Sequence, residues 1–166
     1  YMIKEEGINP SSILAITFTN KASNEMKERL HDNLGPFGMD VTVATFHSFA
    51  VKVIRENVNY LPNHDRYFNI IDDNDKKRII KDIIKRLGLS DVYKTPTVMW
   101  GINKAKTFST THKEAARNVE FDFIDAYVEY EKYLKKNNAM DFDDLLLYCY
   151  ELLNIEAVAN KYKEKY

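Results

Sequence analysis

The chain has little that would tie it covalently or bend it sharply. Of its 166 residues one is cysteine, Cys149, five are glycine and four are proline. A lone cysteine excludes an intramolecular disulfide and any zinc site built from several thiolates, and it fits a reducing cytoplasm. No apolar run approaches the roughly 18 residues of a membrane-spanning helix, and the first residues lack the basic-then-apolar pattern of a leader peptide. Charge of one sign is missing too. With 24 Lys and Arg against 25 Asp and Glu the net charge is −1, so no overall field draws the chain to a polyanion. A nucleotide-binding loop of the form Gly, four residues, Gly-Lys-Ser/Thr is absent, because none of Gly7, Gly35, Gly38, Gly88 or Gly101 is followed by Lys.

What is present describes a globular protein: 45% hydrophobic and 30% charged residues, with 11 Tyr and 9 Phe, leave ample material for a core. Residues 13–18, Ile-Leu-Ala-Ile-Thr-Phe, read as a strand buried on both faces. Asn20 suits a helix N-cap, and Ala22, Met26 and Leu30 mark one stripe of a helix that Gly35-Pro36 and Gly38 stop. Val41 to Thr45 predicts a second strand. Strand, helix and strand in so short a span form a βαβ unit with parallel strands. Beyond Phe46 strand signals cease, and helical periodicity accounts for nearly everything to Tyr166. The expected fold class is therefore an α/β segment followed by a mainly α-helical domain, divided near residues 47 and 48. Both chain ends read as cuts through elements, which predicts a piece of a longer protein.

In an open α/β sheet, ligands bind beyond the carboxyl ends of the strands. Thr17-Phe18-Thr19-Asn20 and Thr45-Phe46-His47-Ser48 fall at those ends. Hydroxyls and free helix N–H groups suit phosphates, and aromatic rings suit stacked bases, so single-stranded nucleic acid is the ligand this mixture fits. The same residues also have a plainer reading: Thr19 and Asn20 as caps, Phe18 as core, His47 as an ordinary surface histidine.

Ile13 to Ala22, continued by Glu25-Met26-Lys27-Glu28-Arg29-Leu30, resembles motif Ia of the UvrD/Rep-type superfamily 1 DNA helicases, and Thr45-Phe46-His47-Ser48-Phe49 resembles their motif Ib. Phe68 to Asp72, Ile102-Asn103-Lys104-Ala105-Lys106 and Met140 to Leu146 resemble, in order, the family's accessory domain 1B. Ser23 departs from the family's usual Ala. The resemblance implies a partial RecA-like domain 1A at 1–47 and a helical domain 1B at 48–166, whose C-terminal end could return toward 1A. It implies an ATP-dependent helicase or translocase moving 3′ to 5′, using ATP and magnesium. The loop and carboxylates that hold those groups would lie outside these residues, so the chain alone is expected to be inactive. It also implies DNA contacts by Thr17, Phe18, Thr19, Asn20, Thr45 and His47, with single-stranded DNA and duplex junctions as partners. A helicase subunit of a helicase–nuclease shares these motifs, and a non-enzymatic helical interaction module is a further alternative.

Three features stand outside the motifs. Lys104 and Lys106, beside Trp100, are expected to touch the DNA backbone ahead of the junction. Lys76, Lys77, Arg78, Lys81, Lys85 and Arg86 crowd one helix, either as a solvated face or as a DNA contact. Asp141-Phe142-Asp143-Asp144 reads as acid placed at a helix N-terminus rather than as a metal site, and Cys149 reads as core.

Overall fold

The computed structural model describes all residues from Tyr1 to Tyr166. It divides into two compact units. The first holds Tyr1–Lys52 together with Leu153–Tyr166, and the second holds Val53–Leu152.

The first unit opens with β1 (Leu14–Thr17), α1 (Asn20–Leu34), β2 (Thr42–Thr45) and the start of α2 (Phe46–Glu56), and closes with α8 (Glu156–Lys165). The strands pair in parallel, with Leu14 beside Thr42 and Thr17 beside Thr45. The helix N-cap is Thr19 rather than the expected Asn20: its Oγ1 accepts from Ala22 N at 3.1 Å, whereas Asn20 is already in the first turn. Gly35 ends α1 with φ +61°, a left-handed conformation that costs glycine little. A 3-10 turn (Gly35–Asp40) returns the chain to β2. Leu14, Ala15 and Ile16 are only half-buried, not enclosed on both faces as the apolar run predicts, since the sheet has two strands. Phe49 packs edge-on against Tyr162 and Tyr166, and Tyr166 OH donates to Thr42 Oγ1 at 3.0 Å.

The second unit contains α3 (Asp73–Arg86), α4 (Thr95–Thr107), α5 (His112–Asn118), α6 (Ile124–Lys136) and most of α7 (Phe142–Leu153). Its core joins Ile80, Ile83 and Ile84 of α3, Val98 and Ile102 of α4, and Tyr127, Tyr130 and Leu134 of α6. Asp72 caps α3 by accepting from Asp75 N at 2.8 Å, and Pro96 stands in the first turn of α4, where its missing N–H costs nothing. Gly101 is required by close packing: a Cβ there would overlap the ring of Phe123. The expectation of an all-helical region needs one correction. β3 (Asn69–Ile70) and β4 (Ala139–Met140) form a two-residue parallel ladder, closed by Asn69 N to Asn138 O at 2.8 Å and Ile71 N to Met140 O at 3.0 Å. Two residues cannot display a period of two, so no strand signal precedes it in the sequence.

Candidate nucleic-acid interface

The parallel pairing of β1 and β2 brings the segments after Thr17 and Thr45 to one rim of the first unit. Phe18 is 89% exposed there and Phe46 is 48% exposed. Their rings are 5.3 Å apart and inclined at 53°, so the core reading of Phe18 does not hold. Two large rings in water give up burial worth roughly 1.5–3 kcal/mol for a fully enclosed side chain. Thr19, Asn20 and His47 are also exposed.

Thr17 and Thr45 differ from the other rim residues. Both are buried, and their hydroxyls are engaged locally. Thr17 Oγ1 bonds Ser23 Oγ and donates to Thr19 O at 3.1 Å. Thr45 Oγ1 accepts from Ser48 N at 3.1 Å and donates to Ser48 Oγ at 2.9 Å. Ser23, the departure from the family pattern, is therefore a structural partner of Thr17. These bonds fix the turns that lead into α1 and α2, and they direct both helix N-termini to the rim where Phe18 and Phe46 stand. Free N–H groups of helix first turns favour anions.

The second unit corrects the expectation for Lys106. Its side chain is fully buried, with Nζ 2.6 Å from Glu131 Oε1, 3.0 Å from Asp141 Oδ2 and 2.8 Å from Asp144 Oδ1. An ammonium enclosed by three carboxylates cannot reach a phosphate. Lys76, counted in the basic helix, is likewise buried, with Nζ 2.8 Å from Asp141 Oδ2. Tyr130 OH donates to the same oxygen at 2.9 Å. Asp141 and Asp144 also exchange backbone bonds, Asp144 N to Asp141 Oδ1 at 2.8 Å and Asp141 N to Asp144 Oδ2 at 3.0 Å, which is a reciprocal cap on α7. The acidic N-terminus is thus both a cap and the anionic half of an ion cluster. Lys104 is exposed, but Nζ lies 3.0 Å from Glu120 and 4.8 Å from the centre of the Trp100 ring.

Electrostatics within the cluster follow from this geometry. Burial pulls Lys106 toward the neutral form, and Asp141, Asp144 and Glu131 outweigh it, holding the ammonium charged well above the usual lysine range. Burial likewise opposes the charge of Asp141, but Lys106 and Lys76 bring its carboxyl well below the normal range. His112 loses solvation too, yet hydrogen bonds and charge from Asp144 and Glu151 raise it to about 9. His112, Glu131 and Asp144 place ligand-type atoms within 4.8 Å of one another. The cation between Glu131 and Asp144 is the Lys106 ammonium itself.

Sequence reasoning missed this cluster although its signal was present. The buried positions of α4 are Val98, Gly101, Ile102, Ala105 and Lys106, and those of α3 are Lys76, Ile79, Ile80, Ile83 and Ile84. Both lysines fall on the i, i+3, i+4, i+7, i+8 stripe of a core-facing helix. The usual rule that lysine is exposed hid a position that periodicity had marked as internal.

Comparison with known proteins agrees with this arrangement of motifs. The family model of the UvrD/REP helicase N-terminal domain matches residues 1–166. The ATP-dependent DNA helicase PcrA of Bacillus subtilis is 36% identical over the whole chain, which covers 23% of that protein. PcrA of Staphylococcus aureus is 33% identical with the same coverage, and a probable DNA helicase II homologue of Mycoplasma capricolum is 36% identical with 24% covered. The chain thus spans about a quarter of the length of these relatives. With the family model matched from the first residue to the last, the chain belongs to the UvrD/REP helicase N-terminal domain family.

Proposed function

We propose that the chain serves an ATP-dependent DNA helicase that moves 3′ to 5′, and that the rim of the first unit holds the single strand along which it moves. The observation that carries this reading is Phe18, a ring 89% exposed beside Phe46 and two helix N-termini. A base stacks on Phe18, with Phe46 bracing that ring and offering a second apolar surface. Thr19, Asn20, His47 and the first-turn N–H groups meet the sugar–phosphate backbone. Thr17 and Thr45 are positioning residues, because their hydroxyls are bonded within the turns. In this reading the first unit is part of a RecA-like domain and the second is the helical accessory domain.

ATP, which the names of the relatives require, does not fit the residues of this chain. No glycine precedes a lysine, and the buried carboxylates Asp141, Asp144 and Glu131 already enclose an ammonium. The chain alone is expected to turn over no ATP.

The test is fluorescence anisotropy with a labelled oligothymidylate. Base–aromatic stacking is worth roughly 1–3 kcal/mol per base, so Phe18→Ala should weaken binding by about 5- to 150-fold. Far-ultraviolet circular dichroism should be unchanged, since an exposed ring supports no core. Unchanged affinity in a folded variant would remove Phe18 from the strand path and overturn the reading.

A further inference from the structure

The second unit leaves large apolar side chains of α4 and α6 uncovered. Phe121 is 87% exposed and Trp100 is 56% exposed. Ile124 and Val128 are exposed as well, and with Phe121 they fall at i, i+3 and i+7, one face of the N-terminal half of α6. Trp100 joins this face through Lys104, whose Nζ lies 4.8 Å from the centre of the Trp100 ring and 3.0 Å from Glu120, the residue before Phe121. Gly101 brings the two elements close, because the Phe123 ring fills the place of its absent Cβ and draws the turn Phe121–Phe123 against α4. Beyond Val128 the apolar run ends at Lys132, which pairs with Glu129 at 3.2 Å. A single exposed apolar residue is ordinary, but adjoining ones that include tryptophan and phenylalanine mark an interaction site.

Charge names the kind of partner. Asp122 and Asp125 stand exposed beside these apolar residues and make no ion pair, while Lys104 is held by Glu120. The dipole of α6 favours acids in its first turn, which accounts for the two carboxylates but not for the apolar side chains next to them. Unpaired carboxylates repel phosphate, so neither a nucleic acid nor an anionic lipid surface fits this face. We propose that Trp100, Phe121, Ile124 and Val128 form a docking surface for a basic amphipathic helix of another protein. The apolar side of that helix covers the rings, and its arginines meet Asp122 and Asp125. Arginine suits both neighbours, since a guanidinium pairs with carboxylates and stacks on aromatic faces. From Phe121 to Val128 the face runs about 10 Å, enough for about two turns of a helix laid along it. The inference is independent of the DNA path assigned to the rim.

Trp100 is the only tryptophan of the chain, so its fluorescence reports on this face without a label. The probe is a synthetic tryptophan-free peptide of leucine and arginine, with leucine at helical spacing, and the control is a scrambled peptide of the same composition. Titration of the helical peptide into the wild-type chain should shift the Trp100 emission to the blue, saturably, as the ring leaves water. Phe121→Ala should weaken that binding about 5- to 30-fold, the range for loss of one well-packed interface aromatic. Asp122→Asn/Asp125→Asn should weaken it about 2- to 30-fold and flatten its salt dependence. All three substituted residues are exposed, and an unchanged melting temperature checks the fold. The proposal is overturned if the helical peptide leaves the emission unmoved, if the scrambled peptide binds equally well, or if Phe121→Ala binds as wild type does. It is also overturned if duplex DNA or oligothymidylate displaces the peptide from wild type and from Phe18→Ala alike, which would assign the face to nucleic acid. Sedimentation showing self-association that Phe121→Ala abolishes would likewise overturn it, in favour of a second copy of this chain.

Discussion

Replacing Lys106 by Met gives a direct measure of the ion cluster. Methionine keeps the unbranched stem of the side chain and removes the ammonium, so the apolar volume changes little while Asp144, Glu131 and Asp141 lose a shared counter-ion at 2.8, 2.6 and 3.0 Å. Asp141 retains Lys76 at 2.8 Å and Tyr130 OH at 2.9 Å. Asp144 retains His112 at 2.9 Å. Glu131 has no other cation. Breaking a buried pair by removing one partner costs about 3–5 kcal/mol, because a charge is left uncompensated in a poorly solvating interior. The second unit runs over Val53–Leu152, a size at which 1 kcal/mol moves the melting temperature by roughly 4–8 °C. Lys106→Met should therefore lower the melting temperature of this unit by at least about 12 °C in differential scanning calorimetry. Adding Glu131→Gln should recover part of the loss, because it removes the carboxylate left without a cation. A Lys106→Met variant with wild-type stability and a flattened salt dependence of DNA binding would refute the reasoning, since it would place the ammonium on a phosphate and not in the core.

Two further predictions follow from other parts of the second unit. His112 has its folded pKa raised from 6.5 to about 9, so its contribution is fully present below pH 6.5 and is lost as pH rises through about 9. That shift is equivalent to about 3 kcal/mol. Urea unfolding should show stability falling between pH 6.5 and 9, and His112→Gln should flatten that fall; an equal fall in the variant would assign it to other groups. Gly101→Ala places a Cβ in the ring of buried Phe123, and overpacking of this kind costs about 1–3 kcal/mol, partly offset by up to about 1 kcal/mol of helix propensity. The net change in a denaturation midpoint should be destabilising, and a stabilised variant would show that Phe123 can move aside.

The sequence alone specified the first unit's framework and its rim. Short β-branched strands flanking an amphipathic helix allow one economical arrangement, a parallel pair with a crossover, and that pairing forces Phe18 and Phe46 to the same edge. Family membership was legible for the same reason, because the motif residues are contiguous in the chain. The helices were legible from period and caps, as Asp72 and Pro96 illustrate, and the core residues Tyr127, Tyr130 and Leu134 were legible from spacing. Tertiary structure alone decided which polar groups face inward. The hydroxyls of Thr17 and Thr45, candidate ligands in the sequence, are engaged by Ser23 and Ser48 in the fold. Lys106 turned from a phosphate contact into a buried counter-ion once α4, α6 and α7 brought Glu131, Asp141 and Asp144 around it. The ladder of Asn69–Ile70 with Ala139–Met140 likewise joins segments some seventy residues apart. The physical reason is common to these cases. Periodicity along a chain reports which side of an element is internal, but the charge or hydroxyl that makes burial tolerable comes from a partner distant in sequence, and only the folded chain supplies it.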